Sequence, residues 1–182
     1  DADMIRSASE AIDYEKWEEL CYNMASWFRD HDIRLGAHEV WNEPDFNGAF
    51  FSGSWTDYID TYISATKGIR AANSDALVVG MSAALIQELC YDKTTEKGDG
   101  EKTAFQRFVE RTYDEYLPDA VSWHYYGRQG QISGRDDPYE NFSSYLTAIR
   151  SSLQGYQDGT HPDLADGVSY PRLETVQQHL NE

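Results

Sequence analysis

Three short strand-like runs, residues 33–41, 76–82 and 119–125, recur about 40 residues apart, with a helix-patterned stretch between each pair. Strands joined through a helix lie parallel, because an antiparallel pair is closed by a tight turn and a parallel pair needs a long crossover. The run 76–82, Ala-Leu-Val-Val-Gly-Met-Ser, is apolar with small residues at its flanks, the pattern of a strand covered on both faces. The run 33–41 is more polar: Arg34, Gly36, His38 and Glu39 do not suit the middle of a plain sheet. Polar side chains near the active end of a barrel strand would explain them. The expected class is therefore α/β with a parallel sheet.

The helices between and around these runs have readable starts and faces. Asp13 can cap a helix whose apolar positions Trp17, Leu20, Cys21, Met24, Trp27 and Phe28 predict one buried face. Ser54 with Asp57 forms a capping-box-like start for a helix burying Tyr58, Ile59, Tyr62, Ile63 and Ile69. A third helix carries Phe105, Phe108, Val109, Thr112, Tyr113 and Tyr116 and stops before Pro118. A fourth starts near Pro138 with Phe142, Leu146, Ile149 and Leu153 turned inward. Residues 91–102 read as a polar surface loop, and residues 170–180 as a last helix started by Pro171.

Composition narrows the partners. With 32 acidic against 15 basic residues, the formal charge of -17 argues against nucleic acid or an anionic membrane, both of which require Lys and Arg clusters. Neutral carbohydrate remains compatible. No run approaches the roughly 18 apolar residues of a membrane span. The chain opens Asp1-Ala2-Asp3 rather than with Met and a leader, so it reads as cut from something longer. Cys21 and Cys90 could pair in an oxidising compartment, but two thiols define no scaffold.

The chemistry concentrates in His38-Glu39-Val40-Trp41-Asn42-Glu43-Pro44-Asp45, where a strand-like run is ended by proline. It sets a proton donor, a hydrogen-bonding amide and a flat apolar surface side by side, as an enzyme that grips a sugar and breaks its neighbouring bond requires. The near match to the zinc motif H-E-x-x-H is accidental, since Asn42 stands where the second His would be, and the five histidines lack ligand spacing. No metal or cofactor is expected. There is no G-x-S-x-G, phosphate loop or dinucleotide fingerprint.

Trp41-Asn42-Glu43-Pro44 resembles the strand-four signature of the clan of retaining glycoside hydrolases built on (β/α)8 barrels. The Trp17-Glu18-Glu19-Leu20 and Trp55-Thr56-Asp57-Tyr58 helices, with residues 120–127, Ala-Val-Ser-Trp-His-Tyr-Tyr-Gly, are similar to glycoside hydrolase family 39. The resemblance implies that the three runs are strands four to six, and that residues 1–182 form a single partial catalytic-barrel domain. A full barrel takes eight strands and about 250 residues.

By the same resemblance Glu43 is the acid/base, Asn42 binds the hydroxyl beside the anomeric carbon, and His124 and Tyr126 contact substrate and nucleophile. Trp41 and Trp123 suit the core better than a sugar platform, and Phe50 or Phe51 is a packing plug as readily as a stacking surface. The second carboxylate, a strand-seven Glu in the clan, has no match after Ser151; Glu174 is the nearest candidate, but it sits in the expected last helix. The nucleophile is therefore expected beyond Glu182, and the isolated chain is expected to be inactive. Implied partners are a β-linked polysaccharide or oligosaccharide, with xylan one option, and the remainder of the barrel from the full-length chain. Secretion or a periplasmic location follows from the size of such substrates. The rival reading is a non-catalytic carbohydrate-binding protein on a degenerate barrel.

Overall fold

The computed structural model describes residues 13–45, 50–84, 89–90, 100–125, 138–162 and 164–180. Helix α1 (Tyr14–Asp30) starts where the Asp13 carboxylate accepts the Lys16 N–H. Strand β1 (His38–Glu39) follows, then α2 (Trp55–Ala72), whose capping box joins the Ser54 and Asp57 side chains to each other's backbone N–H groups. Strand β2 (Val78–Ala83), α3 (Ala104–Thr112) and β3 (Ala120–Trp123) continue the alternation. Helix α4 (Pro138–Asp158), a 3-10 turn at Pro171–Thr175 and strand β4 (Gln177–Leu180) complete it.

The sheet runs β1-β2-β3-β4, and every neighbouring pair is parallel. Consecutive strands side by side, each return made through a helix, are what βα units produce when they march around a barrel. The core lies between the sheet and the α2–α3 layer, where Tyr58, Tyr62, Phe105 and Phe108 are fully buried against Val78, Met81 and Trp123. Arg70 ties the far end of α2 to β3, donating to Leu117 O at 3.0 Å and Asp119 Oδ2 at 3.2 Å.

Three expectations change. The helix foreseen over residues 170–180 is instead a single 3-10 turn followed by β4. Leu173, Val176 and Leu180 have helical spacing, but the outer edge of β3 presents unpaired backbone groups that a strand satisfies and a helix does not. Strands four to six are thus joined by a fourth strand. The second change is the length of β1, two paired residues rather than the run 33–41. It has β2 on one side only among the described residues, and Trp41 turns away with φ 74.

The third concerns α1, whose face was expected to be buried. Cys21 and Ala25 are buried, whereas Leu20, Met24 and Trp27 are 57%, 44% and 52% exposed. Helix α2 covers one strip of α1, where Trp17 Nε1 donates to Thr61 O at 3.1 Å, and no described element covers the other. Both cysteines are free and buried. The loop 91–102 lies mostly outside the described residues.

Candidate active site

In a parallel sheet of βα units, the C-terminal ends of the strands and the loops after them form one rim. Glu43 follows β1 on this rim and His124 follows β3. Two turns of backbone bring them together. Val40 N–H still donates to Val79 O at 3.0 Å in ladder fashion, after which Trp41 (φ 74) and Glu43 (φ 47) adopt left-handed conformations. For a non-glycine residue that conformation costs about 1 kcal/mol or more, so it persists only where surrounding contacts enforce it. Here Glu43 N–H donates to Ser82 O at 2.8 Å, and the buried Asp45 accepts the Ala84 N–H at 2.9 Å, fastening the loop to the end of β2.

Strand β2 is itself irregular at this point. Its register against β3 shifts between Gly80 and Ala83, so Met81 and Ser82 together oppose Ser122 alone. Both are left-handed, with φ 77 and 41. The far side of this bulge receives His124, whose N–H donates to Ala83 O at 2.8 Å. Adjacent carbonyls of one bulge therefore hold the backbones of Glu43 and His124.

The side chains meet accordingly. His124 Nδ1 lies 2.7 Å from Glu43 Oε1, with His124 3% and Glu43 5% exposed. An imidazole suits a carboxyl that must lose and regain a proton: as one tautomer it donates through Nδ1–H to the carboxylate, as the other it accepts from the acid. Burial strengthens either form of the bond.

The remaining expected residues separate. Asn42 is exposed on the rim beside Glu43. Tyr126 lies outside the described residues. Trp41 packs edge-on against Trp17 and Phe51, its indole N–H held by Phe50 O at 3.0 Å, and Trp123 is in the core. Phe51 is buried as a plug, in edge contact with Tyr58, while Phe50 is exposed. Glu174 is exposed in the 3-10 turn before β4, at the opposite end of the strand from the rim. The bulge was not foreseen; its trace in the sequence is the cluster of small residues Gly80, Ser82, Ala83 and Ala84 after a branched run. Among the described residues no group of three or more His, Cys, Asp or Glu could hold a metal ion, and no helix is long and apolar enough to cross a membrane.

Known proteins share parts of this chain's sequence and fold. The model of Glycosyl hydrolases family 39 matches residues 7–150. A β-xylosidase of Caldicellulosiruptor saccharolyticus is 32% identical over 76 residues, 40% of this chain and 16% of the relative. A glucosidase from Croceicoccus marinus superposes with TM-score 0.61 at 19% identity, over 85% of this chain and 30% of its own. A monomeric β-xylosidase from Caulobacter crescentus CB15 gives 0.55 at 18% identity, over 84% of this chain and 29% of its own. The chain thus spans less than a third of each of these relatives, and the two solved structures share its fold.

Proposed function

This chain belongs to glycosyl hydrolases family 39, and on that premise we propose that it carries the general acid/base, Glu43, of a retaining β-glycosidase. The observation behind the reading is the buried Glu43–His124 pair on the C-terminal rim of a parallel sheet, inside Trp41-Asn42-Glu43-Pro44. Glu43 protonates the glycosidic oxygen as the bond breaks and then takes a proton from the water that releases the sugar. Asn42, exposed beside it, hydrogen-bonds the hydroxyl next to the anomeric carbon, and Tyr126 contacts the same sugar. β-Xylosides are the first substrates to assay and β-glucosides the second, after the names of the relatives. The full-length protein acts on polysaccharide or oligosaccharide outside the cytoplasm.

A double displacement needs a second carboxylate about 5–5.5 Å from the first. Strand β4, which takes the place of the expected helix, brings a fourth strand end to the rim next to His124, and Glu182 follows Leu180 by two positions in the sequence. Glu182 therefore becomes the leading candidate for the nucleophile, ahead of positions beyond it. The rest of the barrel comes from the remainder of the full-length chain.

The test uses the full-length protein. Glu43→Ala is expected to lower kcat/KM on an unactivated xylobiose or cellobiose by about 10²–10⁴-fold. On a dinitrophenyl glycoside, whose leaving group needs no proton, kcat/KM should fall far less, while kcat drops because the second step has lost its base, and added azide should restore that turnover as a glycosyl azide of retained configuration. A 2-deoxy-2-fluoro glycoside should label Glu182 or a residue after it. Equal loss on both substrates, or a label on Glu43, would overturn the assignment.

A further inference from the structure

We propose that Tyr58 and Ser122, neither of which reaches the rim, are positioning residues for the acid/base and act through the Met81–Ser82 bulge. The inference rests on the assignment of Glu43 above. At the bulge two consecutive N–H groups of β2 bond side-chain hydroxyls instead of a neighbouring strand. The Met81 N–H donates to the Tyr58 hydroxyl at 2.7 Å, and the Ser82 N–H donates to Ser122 Oγ at 3.0 Å. Ser122 Oγ in turn donates to Gly80 O at 3.2 Å, so one hydroxyl bridges both sides of the bulge. Tyr58 comes from α2 behind the sheet and Ser122 from β3 beside it, and both are fully buried. Burial pushes the Tyr58 hydroxyl well above its usual range, so it stays neutral.

The consequence is geometric. Two adjacent left-handed residues without glycine rotate the Ser82 and Ala83 carbonyls toward their partners, and those carbonyls receive Glu43 N–H and His124 N–H at 2.8 Å each. If either hydroxyl is lost, a buried N–H has no acceptor and the bulge relaxes toward a regular strand. Its carbonyls then swing, and the 2.7 Å contact between Glu43 and His124 opens. A displacement of about 1 Å at a reacting group can cost about 10²-fold in rate.

Tyr58→Phe and Ser122→Ala in the full-length protein test this, with Tyr156→Phe as the matched control. Tyr156 is equally buried and its hydroxyl bonds Thr103 Oγ1 at 2.8 Å, away from the bulge. Tyr58→Phe and Ser122→Ala should each lower kcat/KM on an unactivated disaccharide by about 10- to 100-fold. On the dinitrophenyl glycoside the fall should be only a few-fold. Tyr156→Phe should leave both rates unchanged while lowering Tm. Equal losses on the two substrates, or rates matching Tyr156→Phe, would sink the proposal. Should Ser122→Ala fail to fold, Tyr58→Phe, which removes one oxygen, decides alone. A Glu43→Gln variant separates the layers: if it shows no selective loss on the disaccharide, the acid/base assignment itself falls; if it does and Tyr58→Phe does not, only the positioning role falls.

Discussion

At the residue scale the buried thiols carry a prediction independent of the site. Burial pushes Cys21 up to about 11 and Cys90 up to about 12, from an ordinary 9.0. Both are thus protonated and shielded at pH 8, and in the folded full-length protein the peptides carrying them should resist iodoacetamide until denaturant is added. The sign of the linkage follows. A thiol whose folded pKa is raised contributes stability that is complete below pH 9 and is lost as pH rises through 11 to 12. The urea midpoint should therefore fall between pH 8 and pH 10.5, and Cys90→Ala should flatten that fall; fast labelling of either cysteine at pH 8 would contradict the burial. Glu43 was legible because Trp-Asn-Glu-Pro is a contiguous pattern. Its bond to His124 was not, since the two lie 81 positions apart and meet only through the bulge between them.

Among the elements, the α1–α2 crossing is the most exacting contact. A Cβ on Gly68 would meet Glu18 O at 2.2 Å and Tyr22 N at 2.9 Å, both backbone atoms that no side-chain rotation can move. Alanine gains about 1 kcal/mol of helix propensity over glycine, but forcing two helices apart costs about 1–3 kcal/mol, and a backbone clash belongs at the upper end. Gly68→Ala should lose about 2 kcal/mol on balance, read as a lower urea midpoint. Gly36→Ala, with nothing within 4 Å of the new methyl, should barely move it. Three of the four helix starts and the parallel alternation were readable because caps and periodicity are local signals, whereas the Thr103 cap of α3 was not singled out. Strand β4 was not, since Gln177–Leu180 has no strand pattern of its own and pairs because the edge of β3 is there to receive it.

At the scale of the whole molecule, an apolar strip lies uncovered among the described residues. Leu20, Met24 and Trp27 on α1 are exposed together with Ile33 and Leu35 just before β1. Beside them a cavity of about 240 Å³ is lined by Trp17, Met24, Phe28, Leu35 and Trp41 along the open side of β1. A contiguous apolar face of this kind next to an unpaired strand edge marks a covered surface. In relatives nearly three times as long, the material to cover it exists. The 182-residue chain made alone should therefore bind a hydrophobic dye and elute at a mass that rises with concentration, despite a charge of -17 that opposes association. The full-length protein should do neither. Leu20→Glu with Met24→Lys distinguishes docking from simple stickiness: the pair should make the isolated chain monomeric and lower the Tm of the full-length protein, because the same two side chains are solvent-facing in the first and buried in the second. A full-length Tm unchanged by the pair would mean that the rest of the barrel closes elsewhere.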